Sequence, residues 1–351
     1  METFLRQFGL TLYPILPVLI LTGLLALCLP ERSLAAGAAV PVAPLSSAQD
    51  VAVPVQNATQ VAPAQQEKTT PPRLAPPAEP YPRLSVPPIA WRTVDKGLEV
   101  GTAVVHESRV NQRDAVFVFI RVAPDQHTFS LHMASHAGQS HSFAEWSRMG
   151  NLKAGVNASM YLPDNITSTG YMRDGHRVNN AKIGNRLGAF FVAGRRNRNN
   201  PHADIVEKDT PGWREAIDSY DLVVQNYRII SSAGKILWPE GGPEHSIAVI
   251  TTDNKGRVLF ILCQEPLTVA RFSLYLHSFE LGLDTVLYVE GGAQAGAFVR
   301  MKNDAAHPPL PGATPLTVDG DTVYVWKGRQ SLLDLKGSPN AVLPNIIGVQ
   351  R

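Results

Sequence analysis

The segment Val289-Glu290-Gly291-Gly292-Ala293-Gln294 combines residue types that can do chemistry. The run Asp284-Thr285-Val286-Leu287 leads into it, so it reads as a buried strand ending in a carboxylate and two glycines. A carboxylate at such an edge is costly to bury without a compensating partner. The glycines admit positive φ and let another backbone or a ligand come close. This edge can present an acid, a base or a nucleophile; the alternative is a glycine turn whose Glu faces water. Ala154-Gly155-Val156-Asn157-Ala158-Ser159-Met160-Tyr161 repeats the pattern of an apolar strand, a polar end and small residues. Asn157 can donate and accept together, which suits gripping a sugar hydroxyl, orienting a carboxylate or capping local backbone.

Other clusters invite simpler readings. His127, His132, His136 and His141 are close in sequence, but no carboxylate or Cys joins them at a metal-ligand spacing, so no metal site is assigned. Arg195-Arg196-Asn197-Arg198 could meet an anionic polymer, although a solvated loop is the commoner reason for such a run. Cys263 ends the apolar strand Val258 to Leu262 and reads as a small buried hydrophobe.

The chain of 351 residues is uneven along its length. Gly9 to Leu29 is almost wholly apolar and long enough for a membrane-spanning helix despite Pro14 and Pro17. Ala36-Gly37-Ala38 offers a signal-peptidase pattern, so 1–38 is either a cleaved signal peptide or an anchor. Both place the rest outside the cytoplasm, periplasmic or extracellular. Residues 39–90 are rich in Pro, Ala, Val and Gln without a core-forming period, which reads as a disordered linker. The folded domain is expected over 91–351. A formal net charge of +2 argues against a nucleic-acid binder.

Within that domain strand signals dominate. Phe129, Leu131 and Met133 alternate with Thr128, Ser130 and His132, the pattern of a sheet with one covered face. Asp174-Gly175 and Asp253-Asn254-Lys255-Gly256 mark hairpins. Ser142 with Glu145 three residues on marks a helix start, and Val269, Phe272, Tyr275 and Phe279 have helical spacing after Pro266. Hairpins interrupted by a few helices, without regular βαβ alternation, predict an α+β fold with a mainly antiparallel sheet core and flanking helices. The N-terminal apolar helix and the linker precede it.

The order of several segments resembles the phosphodiester glycosidase family, which includes the animal enzyme that uncovers mannose-6-phosphate signals. Asn157-Ala158-Ser159-Met160-Tyr161 is similar to the family's Asn-Gly-Gly-Phe-Phe, and Asp174-Gly175 to its next turn. Val224-Gln225 matches the start of a Gln-x-Gly-Pro-like strand, and His245-Ser246-Ile247 falls on a strand that usually opens with Arg. The family's Leu-Asp-Gly-Gly-x-Ser falls on Val289-Glu290-Gly291-Gly292-Ala293-Gln294. Leu343 to Val349 is similar to its C-terminal end. Glu290 for Asp, Gln294 for Ser and His245 for Arg are departures.

The resemblance implies hydrolysis of a sugar-1-phosphodiester, of the N-acetylglucosamine-1-phosphate kind, in an envelope or extracellular glycan. Glu290 is the implied essential carboxylate and His245 a phosphate contact or proton shuttle. Asn157, Tyr161, Asp174, Gln225, Ser246 and Gln294 are the implied substrate-binding residues. No cofactor is implied, and a divalent cation is left open. The implied partners are the polysaccharide and, through the N-terminal helix, a membrane. The competing reading is a catalytically inactive polysaccharide-binding or envelope-assembly protein on the same fold.

Overall fold

The computed structural model describes residues 81–106, 114–302, 308–330 and 335–351. The apolar segment Gly9 to Leu29 and most of the stretch read as linker lie outside the described residues. Among the described residues no helix is long and apolar enough to cross a membrane.

The chain runs β1 (Ala90–Asp95), β2 (Leu98–His106), β3 (Asp114–Val122) and β4 (Thr128–Met133) into α1 (Ala134–Ala137) and α2 (Phe143–Gly150). Next come β5 (Ala154–Asn157), β6 (Met172–Asp174), β7 (Arg177–Asn180), β8 (Ala189–Arg195) and β9 (Ala203–Glu207). Helix α3 (Trp213–Asp218) precedes β10 (Tyr220–Ile230), β11 (His245–Asp253) and β12 (Val258–Leu267). Helix α4 (Val269–Ser278) leads into β13 (Leu283–Gly291) and, through a 3-10 turn at Gly292–Gln294, β14 (Gly296–Lys302). The last strands are β15 (Thr314–Val318), β16 (Asp321–Lys327) and β17 (Asn345–Gln350).

These strands form two antiparallel sheets, in line with the expected sheet-rich core and its few helices. The larger has the order β1-β2-β3-β12-β11-β13-β10-β6-β7, with β8 pairing β10 and β9 pairing β8. The smaller has the order β15-β16-β14-β5-β17-β4. Their inner faces meet in one apolar core, in which Ile120, Phe260, Leu262 and Ala248 of the larger sheet join Leu131, Val156, Val299 and Ile347 of the smaller. Phe129, Leu131 and Met133 pack into that core, so the period-two pattern of β4 identified its covered face correctly.

The outer face of the large sheet is covered by α4, whose Phe272, Tyr275, Leu276 and Phe279 pack on Phe117, Phe119 and Ile261. Thr268 caps that helix by accepting from the Arg271 N–H. Both faces of β12 are therefore dry, and all ten of its residues are buried. The outer face of the small sheet is covered by α2, where the Ser142–Glu145 capping box forms as its sequence spacing predicts. Leu84, Val86 and Ile89, within the stretch read as linker, pack against the α4 side of the large sheet. The Leu84 N–H also donates to Ser278 Oγ. Apolar residues spaced between prolines suffice to bind this strap to the domain, although they carry no secondary-structure period.

Candidate active site

Glu290 stands one residue from the end of β13. The register slips there: Val249 pairs with Tyr288 but Ala248 pairs with Glu290, leaving Val289 as an extra residue. A bulge of this kind re-aims the side chains around it and ends regular pairing. Glu290 is buried, at 7% exposure. Its Oε1 accepts from the Gly291 N–H at 2.9 Å, while buried Oε2 has no hydrogen-bond partner among the described residues.

Gly291 is needed for space and Gly292 for its conformation. A Cβ on Gly291 would stand 1.9 Å from the Tyr288 hydroxyl and 3.2 Å from His245 Nδ1. Tyr288 and His245 thus lean over the turn, their rings edge to face with centroids 6.0 Å apart. Gly292 has φ +66°, and a Cβ there would meet Gln330 Oε1 at 2.1 Å.

The charge opposite Glu290 comes from Lys327, the last residue of β16, which is 3% exposed. Its Nζ donates to the Gln294 carbonyl at 2.7 Å and lies 5.6 Å from the centre of the Phe143 ring. Burial pushes the Glu290 carboxyl up to about 7, against the opposing pull of the Gly291 N–H and the Lys327 charge. Burial pushes Lys327 down to about 8, partly offset by Glu290. Burial, with Glu290's charge added, also raises the phenols of Tyr161 and Tyr288.

The sequence-predicted residues separate into distinct groups. Glu290, Gln294, His245 and Tyr161 gather around the turn; the last three are half-buried at its rim, and buried Gln294 Oε1 has no partner among the described residues. Asn157 also reaches the turn, but both ends of its amide are engaged. Its Nδ2 donates to the Gln294 carbonyl at 3.2 Å and its Oδ1 accepts from the Gly296 N–H at 2.8 Å. Ser246 donates to the Gln264 carbonyl and accepts from the Arg329 N–H at 2.7 Å, tying the chain after β16 to β11. Gln225 clamps the backbone of Gly184, Leu187 and Tyr171 with its whole amide. Asp174 is held by Arg177 at 2.6 Å and by the Leu131 N–H at 3.3 Å. Residue type alone cannot reveal whether an amide or a hydroxyl is already satisfied internally.

Asn157 therefore acts as a positioning residue for the turn after Glu290. Asn157→Ala is expected to lower stability by about 1–3 kcal/mol, because it leaves the buried Gly296 N–H without its partner and removes one of the two donors to the Gln294 carbonyl. Urea denaturation measures this. Unchanged stability with a raised KM would assign Asn157 to direct substrate binding instead.

The histidines singled out above do not converge. His127 bonds the Lys96 and Gln350 carbonyls, His132 bonds Ser130, His136 bonds Ser135, and His141 packs on Trp146. No group of three or more His, Cys, Asp or Glu residues able to hold a metal occurs among the described residues. Arg195 and Arg196 are anchored locally, by the Asn200 carbonyl and by Asp221 respectively. Cys263 is buried in β12.

Lys327 and Tyr288 escaped the sequence reading. Trp326-Lys327-Gly328 has the same signature as Val289-Glu290-Gly291, a polar residue between an apolar strand and a glycine, and could have been found by it. Glu265, two residues before the end of β12, lacks that glycine but is also buried, and it pairs with Arg329 at 3.2 Å.

Comparison with known proteins bears on this geometry. No curated protein sequence matches the chain. The fold is similar to the zebrafish N-acetylglucosamine-1-phosphodiester alpha-N-acetylglucosaminidase catalytic domain auto-inhibited by its pro-peptide, with TM-score 0.53 and 8% identity. That match covers 76% of this chain and 88% of the zebrafish domain. A hypothetical protein from Synechocystis aligns with TM-score 0.48 and 12% identity over 75% of this chain, which spans 64% of that protein's length. The phosphodiester glycosidase family model matches residues 150–319, the stretch holding Asn157, His245 and Glu290, while Lys327 lies just beyond it. The resemblance read from the sequence thus agrees with the family model, which residues 150–319 match.

Proposed function

We propose that the domain hydrolyses a sugar-1-phosphodiester linkage, of the N-acetylglucosamine-1-phosphate kind, in an envelope or extracellular glycan. The observation that carries this reading is Glu290, a buried carboxylate with one unpartnered oxygen and a pKa near neutrality, opposite a buried cation. Perturbed groups of this kind concentrate where proton transfer or nucleophilic attack occurs. The family match and the linkage named for the zebrafish neighbour support the same class of bond.

In the proposed reaction water adds across the anomeric C–O bond, giving a free sugar and a phosphomonoester. Ionised Glu290 attacks the anomeric carbon or takes a proton from the water. A phosphomonoester is a good leaving group, so no strong general acid is required of the domain. Lys327 lowers the energy of charge on the departing phosphate, an effect enlarged by its dry surroundings. His245 contacts the phosphate or shuttles the proton from the rim. Gln294 Oε1 accepts from a sugar hydroxyl or amide N–H, and Tyr161 lines the same mouth. Asn157, Ser246 and Gln225 hold the frame. The N-terminal apolar segment and the proline-rich stretch after it would export the domain and tether it near a membrane.

A chromogenic N-acetylglucosamine-1-phosphodiester tests the proposal directly. The expected products are free N-acetylglucosamine and a phosphomonoester in equal amounts. Absence of turnover, together with retained glycan binding, would replace this reading with that of an inactive polysaccharide-binding relative.

A further inference from the structure

A second concavity lies where β1 packs beside the far end of β14. Its walls include Arg92 and Asp95 of β1, Lys153 ahead of β5, Lys302 at the end of β14, Tyr324 of β16, and Arg351. Strand β14 begins at Gly296, beside the Glu290 turn, and reaches this cleft six residues later, so the two places are ~20 Å apart at ~3.3 Å per residue.

Among the described residues the charges in the cleft do not cancel. Arg351 lies 4.0 Å from Asp95, and Arg300, also in the wall, is held by Asp321 at 2.8 Å. Among the described residues Arg92 donates to a neutral group, the Pro308 carbonyl, at 2.9 Å. Arg92, Lys153 and Lys302 thus form no ion pair with a carboxylate among the described residues; Asp321, which faces Lys302 across the β14–β16 pair, is engaged by Arg300. Three like charges on one concave surface focus a positive potential that favours an added anion. Bulk composition does not explain them, since the whole chain carries a formal net charge of +2. They come from three separate places in the chain, within β1, just before β5 and at the end of β14, and the fold alone brings them together.

We propose that this cleft binds phosphate groups on a glycan chain, as a site separate from Glu290 and independent of whether Glu290 is catalytic. Lysine and arginine side chains around an open concavity suit a multiply charged oxyanion. Tyr324 adds one ring face and a hydroxyl, which suits a sugar unit beside the charge. Grooves for single-stranded nucleic acid instead present successive aromatic platforms, and Tyr324 is the one aromatic residue lining this wall among those described.

The test is calorimetric titration of the full chain with a phosphorylated mannan, the same mannan after phosphatase treatment, inorganic tripolyphosphate and an oligothymidylate. The phosphorylated mannan is expected to bind at least ~10-fold tighter than its dephosphorylated form, with affinity falling as salt rises. Lys153→Glu with Lys302→Glu should weaken it by a further ~10-fold or more, and Lys302→Gln alone, at an exposed position, by about 3-fold. Lys255→Glu in the β11–β12 turn and Glu290→Gln should leave it unchanged, so loss of hydrolysis and loss of this binding are read separately. Equal binding of the two mannans, or indifference to the double charge reversal, would overturn the proposal. Tripolyphosphate binding as tightly as the glycan would reassign the cleft to free polyphosphate, and tighter oligothymidylate binding would reassign it to nucleic acid.

Discussion

Glu290→Gln is expected to lower kcat on a sugar-1-phosphodiester by about 10²–10⁴-fold, the range typical for loss of a positioned proton-transfer group. The substitution keeps the volume of the side chain and the acceptor for the Gly291 N–H. It removes the ionisable oxygen that has no other partner among the described residues. It also removes a buried charge, so the same variant should be more stable than the wild type at pH 8, where Glu290 is ionised in the folded protein. Opposite movements of activity and stability are characteristic of a site held in tension for function. Steady-state kinetics and urea denaturation of one protein sample measure both. A fall in stability with little change in kcat would make Glu290 a structural residue and remove it from the mechanism.

The second large effect is a trough in stability near neutral pH. The Glu290 carboxyl has a folded pKa of about 7 against an ordinary 4.5, so between these values the folded state holds a proton that the unfolded state has lost. Its contribution to stability is therefore fully present below pH 4.5 and is lost as pH rises through 7. Lys327 has a folded pKa of about 8 against an ordinary 10.5, so between these values the unfolded state holds the extra proton. Its contribution rises with pH over that interval. Each limb amounts to about 3 kcal/mol in order of magnitude. Between pH 7 and 8 both groups are charged and both desolvation costs are present, only partly offset by their mutual attraction. Urea denaturation at intervals from pH 4 to 10 should reveal the trough. Glu290→Gln should flatten the acid limb and Lys327→Met the alkaline limb. If the acid limb persists in Glu290→Gln, another group is responsible for it. A bound phosphodiester would partner Lys327 and should make the trough shallower.

How much of this was legible beforehand varies with the kind of feature. The helix start at Ser142, the covered face of β4, the hairpins at Asp174-Gly175 and Asp253 to Gly256, and the apolar stripe of α4 are visible because each depends on neighbours a few residues apart. Strands β9 and β15 were not seen: both lie at sheet edges, and β15 contains Pro315, which weakens any strand signal. Strand β14 was hidden by the small residues Gly296 and Ala297 at its start, which read as a continuation of the glycine turn. The resemblance reached the stretch that the family model matches and the buried carboxylate within it, because a carboxylate and two glycines at a strand end form a local pattern.

The sequence by itself determined where the strongly patterned strands and the Ser142 cap form, that a carboxylate stands at the end of β13, and that the glycines after it leave room for other groups. Only the tertiary structure decided what fills that room. It brought the Tyr288 hydroxyl and the His245 ring over Gly291 and buried Lys327 within electrostatic reach of Glu290. It used Asn157, Ser246 and Gln225 to hold backbone, and it assembled Arg92, Lys153 and Lys302 in a second cleft. The physical reason is the range of the interactions. Propensity, pattern and capping act between near neighbours in the chain, whereas desolvation, charge pairing and hydrogen-bond satisfaction depend on groups that meet only when distant strands are packed together.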